Sequence, residues 1–333
     1  MAWAKILVRG TNWLGDAVMS LPALRAIRRR CPEARVTLLA RGWVADLYRR
    51  EPCADEVLVA PQKRSVLRKQ RFDAAILFPN SFGAALEARL AAIPRRIGYD
   101  RDRRGFLLTD PIPPPQPGQT PPHERFYYLE LLRRAGILDE LSPAEPILLH
   151  AAAEAHSAGC ELFRQMGMEG PVIGIGPGAQ NSRAKQWLPD RFVGSALRIQ
   201  AALGGSVAIF GSVAERDLCQ AMAAQVRRAG VQVLSLAGET ALAQFVELAA
   251  ACRVFLANDA GAMHVASALG VPTVAVFGPT DWAATAPAGP LARIVRAPVE
   301  CSPCMLRDCP IDHRCMTRVT AEQVAAAALE LVK

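Results

Sequence analysis

Lys5-Ile6-Leu7-Val8-Arg9-Gly10-Thr11-Asn12-Trp13-Leu14-Gly15-Asp16 is the stretch on which the fold turns. Residues 5–9 read as a short buried strand, and Gly10 and Gly15 bracket a tight turn. A helix-period segment follows at 21–30, with Leu21, Leu24, Ala26 and Ile27 on one face. Strand, glycine turn and helix in this order open a βαβ unit. The turn at the carboxyl end of such a strand is where open parallel sheets hold ligands.

The alternation continues outward. Strands are expected at 35–40, 56–59, 73–78 and 96–99, separated by amphipathic segments. Residues 110–122 carry too many prolines for a helix or a central strand and read as a loop. A helix at 124–135 and a connection from Ser142 to Pro146 lead to a boundary within 140–165. Beyond it the pattern restarts, with strands at 172–176, 207–210, 231–234, 254–257 and 273–277 and helices at 190–201, 214–228, 241–250 and 262–269. With 333 residues the chain is long enough for two cores. The expectation is an α/β protein of two facing Rossmann-like domains, 1–150 and 151–333, with parallel sheets and an interdomain cleft as the site.

The formal charge of +8 and pI near 9.2 favour an anionic partner. The basic residues are scattered and accompany no finger, helix-turn-helix or RNP-type motif, which sets nucleic acid aside. No signal-like h-region follows Met1, and charges interrupt every apolar run, so the reading keeps the chain in the cytoplasm with peripheral membrane contact only. Phosphate-binding G-x-x-x-x-G-K-[ST], G-x-S-x-G and H-E-x-x-H patterns are all missing from the sequence.

Four segments could carry chemistry. In the opening turn, Asp16 either projects into the cleft or caps the helix that follows it. Gly174-Ile175-Gly176-Pro177-Gly178-Ala179 matches G-x-G-x-x-A, yet a polar loop follows instead of a helix, and no acid ends the next strand, which disfavours a dinucleotide site. Ser182, Arg183 and Lys185 make that loop a cationic, hydroxyl-bearing mouth suited to a diphosphate, unless it is simply a solvated loop. Asn258-Asp259-Ala260-Gly261-Ala262-Met263-His264 spans a strand end and a helix start, where phosphate meets free N–H groups and Asp259 could hold sugar hydroxyls; His264 reads equally as a core histidine. Lastly, Cys301, Cys304, Cys309 and Cys315 place four of nine cysteines within fifteen residues, beside His313. Structural zinc, reduced thiols in a packed loop, and an iron–sulfur or redox role all remain open there.

With these segments in hand, the chain resembles the heptosyltransferases of lipopolysaccharide core synthesis over nearly its whole length. The resemblance rests on Gly15-Asp16 with Leu21-Pro22-Ala23-Leu24, Phe78-Pro79-Asn80-Ser81, Arg96-Ile97-Gly98-Tyr99, and Gly176-Pro177-Gly178-Ala179 with Lys185-Gln186-Trp187. It continues through Phe210-Gly211-Ser212, Leu236-Ala237-Gly238-Glu239-Thr240, the Asn258 to His264 run and Phe277-Gly278-Pro279-Thr280. The Pro-Asn-Ser, Gly-Pro-Gly-Ala and Ala-Gly-Glu-Thr stretches look most like the heptosyltransferase II branch, which adds the second core heptose. The resemblance implies a GT-B fold, ADP-heptose as donor, inversion at the anomeric carbon and no cofactor for catalysis. It makes Asp16 the base and Lys185 the cation on the departing ADP. Ser182, Glu215, Thr240, Asp259, Ala260, Gly261 and His264 would complete the donor site. Asn12, Trp13, Asn80, Ser81, Arg101 and Arg104 fall on the acceptor side, where an anionic lipid A–Kdo–heptose acceptor at the inner membrane surface would meet Arg95, Arg96, Arg101, Arg103 and Arg104. Ala260 departs from the Ser or Thr that relatives often carry there. A first-heptose transferase or another core heptosyltransferase, and a sugar-nucleotide epimerase on the same fold, are the competing enzymatic readings, and a metal-dependent interaction module the non-enzymatic one.

Overall fold

The computed structural model describes residues 3–141, 143–180 and 182–333, so Ser142 lies outside the described residues. The chain divides into two compact units, Met1–His150 and Ala151–Lys333.

In the first unit the order is β1 (Lys5–Arg9), α1 (Leu14–Arg30), β2 (Arg35–Arg41), α2 (Gly42–Arg49), β3 (Glu56–Ala60), α3 (Arg64–Gln70), β4 (Ala74–Leu77), α4 (Phe82–Leu90), β5 (Arg95–Tyr99), β6 (Asp110–Ile112) and α5 (Arg125–Arg134). In the second it is α6 (Ala152–Gln165), β7 (Val172–Gly176), α7 (Pro189–Leu203), β8 (Ser206–Ile209), α8 (Arg216–Arg228), β9 (Val233–Ser235), α9 (Leu242–Ala250), β10 (Cys252–Asn258), α10 (Gly261–Ala268), β11 (Thr273–Phe277), α11 (Trp282–Thr285), β12 (Ala292–Arg296), α12 (Arg314–Thr317) and α13 (Ala321–Leu331).

Both sheets have six parallel strands, ordered β3-β2-β1-β4-β5-β6 and β12-β11-β10-β7-β8-β9. Counted within its own unit, each follows the doubly wound Rossmann order. The direction of winding reverses between β1 and β4 in one unit and between β7 and β10 in the other, and ligands bind beyond the carboxyl ends of strands at such a reversal. Parallel strands covered on both faces need continuous apolar runs. Accordingly β4, β7, β8 and β11 are buried throughout. The second core gathers Ile173, Ile175, Val207, Ile209, Val254 and Leu256 with Trp187, Phe192 and Met222. The first gathers Leu7, Leu39, Ala75 and Leu77 with Ala85, Ala88 and Ile93.

Three expectations need correction. Helix α1 begins at Leu14, not at 21, and carries Pro22 inside it. Leu21-Pro22 resembles a helix start because proline is welcome at a first turn. Here Ala17, Val18, Met19, Leu21 and Leu24 are all buried, and that packing outweighs the lost backbone bond. Asp16 consequently lies in the first helical turn, while Trp13 occupies the N-cap with no side-chain cap bond. Within the proline-dense segment, Asp110–Ile112 forms β6, which Pro111 allows because the strand sits at the sheet edge, bonded to β5 alone. Edge strand β12 was also not anticipated, since its alternating half-buried pattern with Arg293 and Arg296 looks like a surface loop.

Candidate active site

In the first unit the β1 turn and the segment after β4 both lie at the winding reversal, and the Phe78 N–H donates to the Arg9 carbonyl at 3.2 Å. The turn is braced from beneath. Arg9, 5 % exposed, donates to the carbonyls of Gly10 at 2.9 Å and Leu39 at 3.0 Å, reaches Asn12 Oδ1 at 3.4 Å and pairs with Glu87 at 3.4 Å. The Tyr48 hydroxyl, its acidity suppressed by burial, stands 3.1 Å from Thr11 Oγ1 and 3.3 Å from Ser20 Oγ. Asp16 is half-buried above this frame, and its charge acts on Tyr48, Tyr128 and Glu124.

Glu124 was missed in the sequence. Its carboxyl is pushed above the ordinary range by burial first and by Asp16 second, with Arg101 opposing. The neighbouring Asp16 carboxylate disfavours a second negative charge, so Glu124 keeps its proton to higher pH than an isolated carboxyl. Arg101 is exposed, and its guanidinium charge is favoured by hydrogen bonding to Tyr127. The same Tyr127 hydroxyl accepts from Asn80 Nδ2 at 2.9 Å, so Asn80, Tyr127 and Arg101 form one polar chain. Asn80 Oδ1 is buried with no hydrogen-bond partner among the described residues, an acceptor suited to a ligand hydroxyl. Ser81 instead caps α4, accepting from the Ala84 N–H at 3.4 Å.

Arg104 is corrected from a surface cation to an internal strut. It is 0 % exposed and donates to the carbonyls of Tyr99 at 2.9 Å, Ser81 at 3.2 Å and Pro79. Arg96 is likewise spent on the carbonyls of Leu107 at 2.7 Å and Ile93 at 2.5 Å, and Arg95 on Asp110. Of the five arginines read as acceptor contacts, Arg101 and Arg103 are the exposed ones.

The second unit places the loop after β7 beside the end of β10. Asn258, wholly buried, ties that loop down at both ends: its Oδ1 accepts from the Trp187 N–H at 2.9 Å and its Nδ2 donates to the Pro177 carbonyl at 2.6 Å. Between those anchors Lys185 reaches Asp259 Oδ2 at 2.8 Å, and Thr280 donates to the same oxygen at 2.6 Å. Asp259 is 5 % exposed, and both partners meet it at Oδ2. Thr280 went unread because it lies beyond the next strand, although the Phe277-Gly278-Pro279-Thr280 run was its signal. Ala260 is the N-cap of α10 in extended conformation, with no side-chain cap, and Gly261 opens the helix. First-turn N–H groups on an eight-residue helix suit a phosphate without any hydroxyl at position 260. His264 is 4 % exposed on this helix.

Glu215 accepts from the Ser212 N–H at 2.7 Å and hydroxyl at 2.8 Å, closing a capping box. It also explains Gly178, since a Cβ there would stand 2.1 Å from Glu215 Oε1. Thr240 is half-buried after β9, beyond the Arg216–Glu239 pair at 2.9 Å.

The cysteine segment packs against both supports of this site. The Ala184 N–H and the Ser182 hydroxyl donate to the Arg307 carbonyl at 2.9 and 3.3 Å, and the Cys304 and Met305 N–H groups donate to the Pro279 carbonyl at 2.9 and 2.8 Å. All four thiols are free, and Cys315 is pushed up to about 11 by burial and by Cys301, Cys304 and Cys309. Among the described residues no three His, Cys, Asp or Glu side chains are grouped to hold a metal ion, so the zinc reading finds no ligand set in this arrangement. Nor does any described helix have the length and apolarity to cross a membrane.

Known proteins resemble this chain in sequence and fold. The profile of glycosyltransferase family 9 (heptosyltransferase) matches residues 62–314. Lipopolysaccharide heptosyltransferase 2 of Escherichia coli K12 is 33% identical over 309 residues, 88% of either chain. The solved structure of E. coli ADP-heptose lps heptosyltransferase II superimposes with a TM-score of 0.80 at 31% identity, covering 98% of both chains. Lipopolysaccharide heptosyltransferase 1 of Pseudomonas aeruginosa is 36% identical, over only 30% of this chain and 27% of its own. Two Rossmann-like units, the family profile across most of the sequence and a near full-length relative agree: the chain belongs to glycosyltransferase family 9, the heptosyltransferases.

Proposed function

We propose that this enzyme transfers L-glycero-D-manno-heptose from ADP-heptose to a heptosyl-Kdo2-lipid A acceptor, with inversion, at the cytoplasmic face of the inner membrane. The observation that carries the reading is the near full-length likeness to a heptosyltransferase 2, against a heptosyltransferase 1 match confined to less than a third of the chain. The site chemistry supports it. Asp16 takes the proton of the acceptor hydroxyl as that oxygen bonds to the anomeric carbon of the donor. The bond from that carbon to the β-phosphate oxygen breaks, and ADP leaves with the electron pair. Lys185 moves from Asp259 onto the diphosphate as negative charge grows there, where a positioned cation is worth far more than in water. Asp259 then holds the sugar hydroxyls, kept in place by Thr280. Ala260, Gly261 and the start of α10 take phosphate oxygens, while Ser182, Glu215, Thr240 and His264 complete the donor pocket. Asn12, Trp13, Asn80, Ser81 and Arg101 serve the acceptor.

Transfer of radiolabelled heptose to heptosyl-Kdo2-lipid A and to Kdo2-lipid A, measured side by side, tests the step. Transfer to the heptosylated acceptor alone is expected. Transfer to Kdo2-lipid A alone would move the enzyme to the first heptose. Turnover of ADP-heptose with no acceptor present would favour an epimerase.

A further inference from the structure

Two tryptophans stand in solvent around the turn that carries Asp16: Trp13 is 53% exposed and Trp43 is 61% exposed. Leaving so large an apolar side chain in water forgoes the stabilisation its burial would bring, and exposed aromatics concentrate where a ligand covers them. Trp43 is also held in one orientation. Its indole N–H donates to the Asn12 carbonyl at 2.8 Å, and the Arg41 guanidinium lies over its ring at 5.7 Å. Five residues on, Tyr48 of the same helix bonds beneath the turn to Thr11 and Ser20. Helix α2 is thus fastened to the Asp16 turn from both sides, and the exposed indole is rigid relative to the candidate base.

The position fits a ligand. Arg41 ends β2 and Trp43 is the second residue of the helix after it, at the carboxyl edge of the sheet where β1 delivers Asp16. Arg41 makes no acidic ion pair among the described residues, and its charge reaches Arg9 beneath the turn. An aromatic face beside an uncompensated guanidinium matches a pyranose ring that bears a carboxylate or phosphate: the ring's C–H face lies on the indole and the anion meets Arg41.

We propose that Trp43 and Arg41 form an acceptor subsite, Trp43 stacking on an anionic pyranose of the acceptor and Arg41 binding its charge, next to the hydroxyl that Asp16 deprotonates. The subsite rests on the transfer reading above for what occupies it. Its tests are separable from that reading. The indole N–H resonance of Trp43, assigned by its loss in Trp43→Phe, is titrated with deacylated heptosyl-Kdo2 oligosaccharide and with neutral methyl mannoside. A saturable shift with the anionic oligosaccharide and none with the mannoside is expected. No shift with the oligosaccharide, or equal shifts with both, overturns the subsite, whatever the native protein transfers. In kinetics, Trp43→Ala should raise the acceptor KM about tenfold or more with donor KM nearly unchanged, and Trp43→Phe, which keeps the ring, should lie between. Arg41→Gln should raise the acceptor KM in the same way. A Trp43→Ala enzyme with native acceptor KM, or with donor and acceptor KM raised together, contradicts the assignment.

Discussion

Asn258→Ala removes one side chain that fixes the whole Lys185 loop, and its cost can be worked from the structure. Two hydrogen bonds disappear, from the Trp187 N–H and to the Pro177 carbonyl, and all three residues are buried. Each bond is worth about 1 kcal/mol net, but a buried group left without a partner costs about 1–3 kcal/mol. The two together give a destabilisation of about 3 kcal/mol, or a fall in Tm of about 6–12 °C for a unit of this size. Lys185 sits between the two anchors, so the affinity for ADP should fall with it, by about tenfold. Urea unfolding gives the stability and calorimetry the ADP affinity. Asn258→Asp sharpens the comparison. The new carboxyl still accepts from Trp187 but opposes the Pro177 carbonyl, and burial raises its pKa in the folded state. A raised folded pKa means full stability below the unfolded value of about 3.9 and a loss as pH climbs through the folded value. This variant should therefore be weaker at pH 8 than at pH 5. A Tm within about 2 °C of native for Asn258→Ala would refute the reasoning.

Thr280→Val should lower kcat by about tenfold, because Asp259 loses the donor that orients it, and Thr280→Ser should restore most of the rate; steady-state kinetics at saturating donor decide this. Arg104→Met removes a buried guanidinium from three carbonyls and should destabilise the first unit by about 4 kcal/mol, with Arg104→Lys recovering little because an ammonium lacks the planar fork; thermal unfolding measures both. Glu124 has a raised folded pKa, so its ionised form opposes folding, and the opposition grows as pH rises above the ordinary value of 4.5. Glu124→Gln should therefore be more stable than native at pH 8 and equal to it near pH 4, as read from urea midpoints at the two values.

The central strands were legible because a parallel strand covered on both faces must be largely apolar: β7 and β11 are buried at every position, and β1 at every position after Lys5. The edges were not. β6 contains Pro111, which a strand tolerates where one side has no neighbour, and β12 alternates half-buried with exposed residues, a pattern that reads as a surface loop. In the site, Asp16, Lys185 and Asp259 stood out because each follows a strand in a glycine-marked turn. Thr280 and Glu124 did not, since what makes them matter is proximity across 21 residues in one case and more than a hundred in the other. Arg104 misled for a physical reason: in Arg101-Asp102-Arg103-Arg104 nothing in the sequence says which guanidinium turns inward to carbonyls 23 and 25 residues away. The cysteine cluster was visible at once, but its packing against Ser182, Ala184 and Pro279 was not.

The central claim is that Asp16 is the base in heptosyl transfer while the second unit holds the nucleotide on its own. Heptose transfer from ADP-heptose to heptosyl-Kdo2-lipid A, measured for the native protein and for Asp16→Ala, with ADP binding by calorimetry on both, tests it most directly. The account predicts transfer by the native protein, a loss of about a hundredfold or more in the variant, and ADP affinities that agree within about twofold. Transfer that survives in Asp16→Ala, or an ADP affinity that falls along with the rate, would contradict it.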